Sequence, residues 1–203
     1  MLVAIIFHEV AHGWVAFRLG DPTAARMGRL TLNPISHIDL FGTILMPLFL
    51  IIAGAPFVFG YAKPVPVNFH NLNHPKRDMI WVAGAGPVTN ILLAVVSAYV
   101  LMALRSSAWV LPEFIGLPLA LMAQYSVAIN AMLAAFNLLP LPPLDGGRVL
   151  VGLLPQPYST MVARIEPYGF LIILVLLMTH TLDVILHPLV YFVSRLVQGL
   201  VVG

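Results

Sequence analysis

Cysteine is absent from this sequence, which excludes disulfides, thiolate metal sites and cysteine nucleophiles. Charge is scarce too: Asp, Glu, Lys and Arg make up 9% of the chain, where soluble domains carry roughly a quarter. The formal net charge of +2 is too small to point to nucleic acid, so the ten Lys and Arg residues matter through where they sit. No internal repeat, low-complexity tract or long linker divides the 203 residues, and residues 1–203 read as one domain. A cleavable signal peptide is not expected either, since the apolar N-terminus has no basic segment before it. Met1 stands seven residues ahead of the first charged motif, so the first span reads as short or clipped.

What the chain has instead is apolar residues, 60% of the total, with a mean hydropathy of +0.96. That places it among membrane proteins and predicts an all-α polytopic helical bundle embedded in a lipid bilayer. Candidate spans are residues 1–19, 42–59, 79–104, 115–139 and 168–193, with polar connectors at 20–41 and 60–78. Thr31, Leu32 and the Val65-Pro66-Val67 run are candidates for short strands. If residues 42–59 crossed the membrane, the basic residues would divide five against five. If that segment dips in and returns, eight of the ten share a side and only Arg105 and Arg195 lie opposite. Cytoplasmic loops carry the Lys/Arg excess, so a re-entrant segment is predicted, with the 20–78 connectors cytoplasmic. Pro47, Gly54 and Pro56 suit such a broken element. In the tail, Thr179-His180-Thr181 and Asp183 interrupt the last apolar stretch, which predicts a short span followed by a returning helix.

The first span carries His8-Glu9-Val10-Ala11-His12. Helix positions four apart share a face, so His8 and His12 can present two imidazoles to one metal ion. Glu9 is offset by about 100°, beside the open coordination position, which suits a metal-activated water with a carboxylate base. The plainer alternative is a chance pentapeptide whose histidines bond to neighbours, but ionisable groups inside a bilayer are costly.

Catalytic zinc usually takes three protein ligands. Asp21, Asp39, Asp78, Glu113, His37, His70 and His74 fall in connectors, where solvated surface roles are the default. His180, Asp183 and His187 read as interior polar pairs of the tail. Asp145 differs. It follows an apolar span and Pro140, Pro142 and Pro143, which leave extended backbone at membrane depth. Gly146 and Gly147 allow a tight turn that aims the carboxylate inward. The alternative there is a turn aspartate at the membrane surface.

These residues bring the chain close to a known family. His-Glu-Val-Ala-His in an early span, paired with the run from Phe136 and Asn137 to Leu144-Asp145-Gly146-Gly147, resembles the site-2 proteases, which cleave substrates within membranes. Gly86-Pro87-Val88-Thr89-Asn90, Asn33-Pro34 with His37, and Lys63-Pro64-Val65-Pro66-Val67-Asn68 are similar to its compact bacterial branch. The resemblance implies one zinc ion per chain on His8, His12 and Asp145, with Glu9 as the catalytic carboxylate. Asn137 would lie near the reacting carbonyl, and Asn90 would shape the substrate cleft or pack helices. Membrane proteins or transmembrane peptides are the implied substrates, and a bacterial cytoplasmic membrane the implied location. The long first span of larger members and any inserted peptide-binding domain are absent. Two rivals are a membrane transporter or metal carrier and a proteolytically silent binding protein. The first needs no glutamate beside His8 and would show matched broken repeats, while the second would be expected to lose Glu9 or a ligand.

Overall fold

Apolar stretches become helices that stop at polar or proline-bearing breaks, in a computed structural model that describes residues 1–54, 60–106 and 111–202. Helix α1 (Leu2–Arg18) is about 25 Å long at 1.5 Å per residue. It ends before Gly20, whose φ of +110° turns the chain towards the short α2 (Thr23–Arg26). A π-helical stretch (Leu40–Leu45) leads into α3 (Met46–Ile52). Then come α4 (Pro75–Arg105), α5 (Glu113–Asn137), α6 (Asp145–Leu153), α7 (Tyr158–Ala163), α8 (Glu166–Met178) and α9 (Thr181–Val202). Helix α4 opens on Pro75, where a missing N–H costs nothing, and the Asp78 carboxylate accepts the His74 N–H at 2.8 Å. Among the described residues, α4 and α5 are long and apolar enough to cross a membrane. The α8–α9 pair, bent by 92° at Thr179–His180, adds a third if it counts as one broken span.

Backbone bonds bear on the second apolar stretch. The Tyr61 N–H donates to the Gly42 carbonyl at 3.0 Å, and the Thr43 hydroxyl donates to the Tyr61 carbonyl at 2.8 Å. The excursion that leaves at residue 43 is therefore back at its starting point by residue 61. Further along, the Asn73 N–H donates to the Leu19 carbonyl at 2.9 Å, so the end of α1 and the start of α4 lie together. Pro47 falls in the first turn of α3, and Gly54, at φ +65°, follows its end. Residues 55–59, Pro56 among them, lie outside the described residues.

Helix α4 is the hub, packing against α1, α5 and α6. Close approach between α5 and α9 comes from small side chains: Ala131, Ala134 and Ala135 are fully buried with Val193. Small residues let membrane helices come near enough to gain dispersion contacts.

Three sequence expectations are corrected. Neither Thr31-Leu32 nor Val65-Pro66-Val67 forms a strand, because their backbone groups are used elsewhere. The Thr31 carbonyl accepts from His37, the Val65 N–H goes to a carboxylate of α1, and Pro64 and Pro66 have no N–H to pair. Asp21, His37 and Asp78 are buried, not solvated. Asp21 gathers the Asn68 N–H at 2.7 Å, the Asn71 side-chain amide at 2.9 Å, and both the N–H and hydroxyl of Thr23. His180 and Asp183 do pair, at 3.1 Å, but they and His187 sit on the protein's exposed surface.

Candidate metal centre

One turn of α1 separates His8 from His12, and their Nε2 atoms stand 3.0 Å apart. Asp145 comes from the far side of the proline-rich break, at the first turn of α6. Its Oδ2 lies 3.1 Å from His8 Nε2 and 3.3 Å from His12 Nε2. The glycines after it act differently from the sequence expectation. Gly146 and Gly147 are helical and need no positive φ; side chains there would strike the backbone of Leu138–Leu139 and of Leu141–Pro142. Their use is close approach, which seats α6 against the broken end of α5.

The outer nitrogens fix the tautomers. His8 Nδ1 is 2.6 Å from the Asn90 carbonyl oxygen, whose amide nitrogen donates to Asn130 at 2.9 Å and to the Ala4 carbonyl at 3.3 Å. His12 Nδ1 is 2.7 Å from the Val82 main-chain carbonyl. Both Nδ1 atoms therefore carry a proton, which turns both Nε2 atoms towards Asp145, where a neutral imidazole presents a lone pair. Asp145 Oδ2 is buried without a hydrogen-bond partner. Three metal-ligating atoms thus converge, at residues only 6–9% exposed. With both rings neutral, such an arrangement repels itself unless a cation sits at its centre. Tetrahedral zinc at its usual bond lengths sets ligand atoms about 3.3 Å apart, and the spacings of 3.0–3.3 Å fit it.

Glu9 stands next to His8 and is half-buried, and its Oε2 accepts the Val65 N–H at 2.8 Å. That leaves Oε1 open to a water. Val65 is held over α1 because Asp21 anchors Asn68 and Asn71 beyond it, and because Arg29 donates to the Lys63 carbonyl at 2.9 Å. Burial raises the Asp21 carboxyl, but the donors on Thr23, Asn71 and Asn68 outweigh it and hold the group below its ordinary value of 3.8.

The family model for peptidase family M50 matches residues 115–180, the α5–α8 stretch that carries Asn137 and Asp145. "Putative zinc metalloprotease YwhC" of Bacillus subtilis is 38% identical over 189 residues, which cover 93% of this chain and 83% of that protein. The chain belongs to peptidase family M50, the site-2 proteases. "Putative zinc metalloprotease Rip2" of Mycolicibacterium smegmatis is 29% identical over 195 residues, covering 94% of this chain and 70% of that protein. "Zinc metalloprotease MJ0392" of Methanocaldococcus jannaschii is 24% identical over 198 residues, covering 95% of this chain and 45% of that protein. No solved structure matches the chain.

Within this M50 chain, then, the fold brings together His8, His12 and Asp145, with Glu9 one residue round the helix. Asn137 is not joined to them by a hydrogen bond among the described residues; its amide donates to the Leu133 carbonyl of its own helix at 3.0 Å. Two contributors had no sequence signal: the Val82 carbonyl and the Val65 N–H are main-chain groups. Asn130, which steadies Asn90, was also missed. An asparagine facing inward from an apolar helix was the available hint.

Proposed function

We propose that residues 1–203 act as one intramembrane zinc metalloendopeptidase domain, cutting membrane-protein or transmembrane-peptide substrates in or near their spanning segments. The observation that carries this reading is the convergence of three buried metal-ligating side chains beside a carboxylate that is not one of them. When bound, zinc supplies Lewis acidity, polarising a carbonyl and acidifying water. His8, His12 and Asp145 would hold it. Glu9, steadied through Oε2 by Val65, takes the proton of the attacking water on Oε1 and hands it to the leaving amine. Asn137 keeps one amide hydrogen on Leu133, and its second is available to the developing oxyanion. Contacts of that kind are worth roughly 3–4 kcal/mol in other hydrolases.

The surroundings support this substrate class. An apolar cavity of about 970 Å³ opens between the 40–52 segment and α8, with Phe49, Tyr61, Phe136, Leu144 and Phe170 in its wall. Phe136 and Leu144 precede Asn137 and Asp145, so this apolar volume is continuous in sequence with the candidate site. An apolar segment suits it, and the substrate must unwind locally because helical amides are shielded by their own hydrogen bonds. The chain is a membrane protein, and we place the 20–78 connectors on the cytoplasmic side of a bacterial cytoplasmic membrane, where the Lys/Arg excess belongs. Cysteines introduced singly at Ala25 and Asn73 should then label from that one face; labelling from opposite faces would refute the placement.

The deciding experiment is cleavage of helix-destabilised transmembrane peptides by purified protein. Chelation should stop cleavage and zinc should restore it. Absence of cleavage across several such substrates would favour a transport or binding role.

A further inference from the structure

Helix α4 passes the metal centre with one stripe of residues spaced four apart, Val82, Gly86 and Asn90. The outer two hold the histidines, Val82 through its carbonyl on His12 and Asn90 through its amide on His8. Gly86 between them is buried and gives nothing, yet what it leaves empty is specific. A β-carbon built there would lie 2.5 Å from His12 Nε2, 2.5 Å from His8 Cε1 and 2.6 Å from His8 Nε2. Those two nitrogens are the ones that face Asp145. Zinc binds imidazole nitrogen at about 2.0–2.1 Å, so a point this close to both nitrogens falls within the space of a bound ion and its ligands.

Backbone freedom does not account for the glycine. Gly86 lies inside a regular helix with no positive φ, where glycine costs about 0.5–1 kcal/mol relative to alanine. Gly84, two residues earlier in the same helix, is a contrast, since a β-carbon there would meet nothing within 4 Å. We infer that Gly86 is a determinant of the metal centre: its missing side chain reserves the volume in which an ion meets His8 and His12. A β-carbon at this position either expels the ion or forces the two rings apart. The inference rests on reading that cluster as the zinc site.

Its test uses the full chain in detergent, with zinc content and affinity measured by chelator competition. Gly84→Ala should bind as the unaltered protein does. Gly86→Ala should bind about 100-fold more weakly, the upper end of what changes next to metal ligands cause. Zinc affinity within threefold of the unaltered protein would overturn the inference. A second measurement uses metal-free protein and reads the clash itself. Gly86→Ala should lower Tm when both rings are present and leave it unchanged in a His8→Ala/His12→Ala background, a coupling expected of groups in contact. A Gly86→Ala protein that folds only in that background supports the inference equally. Equal losses of Tm in both backgrounds would locate the conflict elsewhere in the packing and overturn it. An unaltered protein that takes up no zinc would instead sink the zinc assignment, and the metal-free cycle would still report whether Gly86 makes room for the rings.

Discussion

The α1–α4 face and the α8 face of this molecule are built on opposite rules. On the first, His8, His12 and Asn90 each have a fixed hydrogen-bond partner at 2.6–3.3 Å, and the acceptors left over converge on one point. On the second, aromatic and aliphatic side chains enclose an apolar volume. A polar network in a low-dielectric interior has to be saturated or it is costly, so the first face tolerates little change. Apolar contacts are non-directional, so under the proposed function the second would accept different spanning segments. Under that function, the contrast separates holding metal from holding substrate.

Asp145→Ala attacks the first face most directly. It should strip most of the zinc and with it nearly all cleavage, as metal analysis and a peptide assay on one sample would show. Full zinc occupancy in that variant would send the search for the third ligand elsewhere. Asn90→Ala should act on the same face less severely. Freed of its partner, the His8 ring loses its fixed tautomer, and zinc affinity should fall about 10–100-fold. Phe49→Ala sharpens the other side: kcat/KM on a transmembrane substrate should drop about tenfold, in line with losing part of a buried apolar contact, while zinc content stays unchanged. Lost zinc in that variant would break the division between the faces.

Asp21→Asn should have the smallest effect on cleavage and be seen mainly in Tm, with about 1–3 kcal/mol of stability lost. Because the folded carboxyl sits below its ordinary value of 3.8, its contribution is present above that pH. The contribution disappears as pH falls through the lower folded value. The variant should therefore lose the part of acid destabilisation that this group causes. An acid limb of Tm identical to that of the unaltered protein would refute the role.

Sequence reading reached the parts of this site that local spacing encodes. His8 and His12 follow from the helical period, and Asp145 stands out because three prolines precede it. Charge placement pointed to an excursion at 42–59, and the bonds between Gly42 or Thr43 and Tyr61 show the chain returning from it. Elsewhere the sequence misled or was silent. Asp21 and His37 lie in polar connectors and read as solvated, but turns of the chain bury them, Asp21 among four donors and His37 with its Nε2 on the Thr31 carbonyl. Gly146 and Gly147 read as turn glycines, whereas their need is close contact with the end of α5. The Asn90–His8 bond spans 82 residues and the Val65–Glu9 bond 56. No periodicity records such pairings, and a main-chain donor leaves no residue type to notice.

The central claim is that Glu9 moves the proton while His8, His12 and Asp145 hold the metal. Glu9→Gln tests it, because the amide is nearly isosteric and lies off the ligand face, so packing and metal should both be retained. Single-turnover cleavage of a transmembrane peptide, with zinc measured on the same preparation, should show a zinc-replete protein slowed by about 10²–10⁴-fold, the usual loss for a missing general base. Cleavage at the unaltered rate by a zinc-replete Glu9→Gln protein would contradict the account.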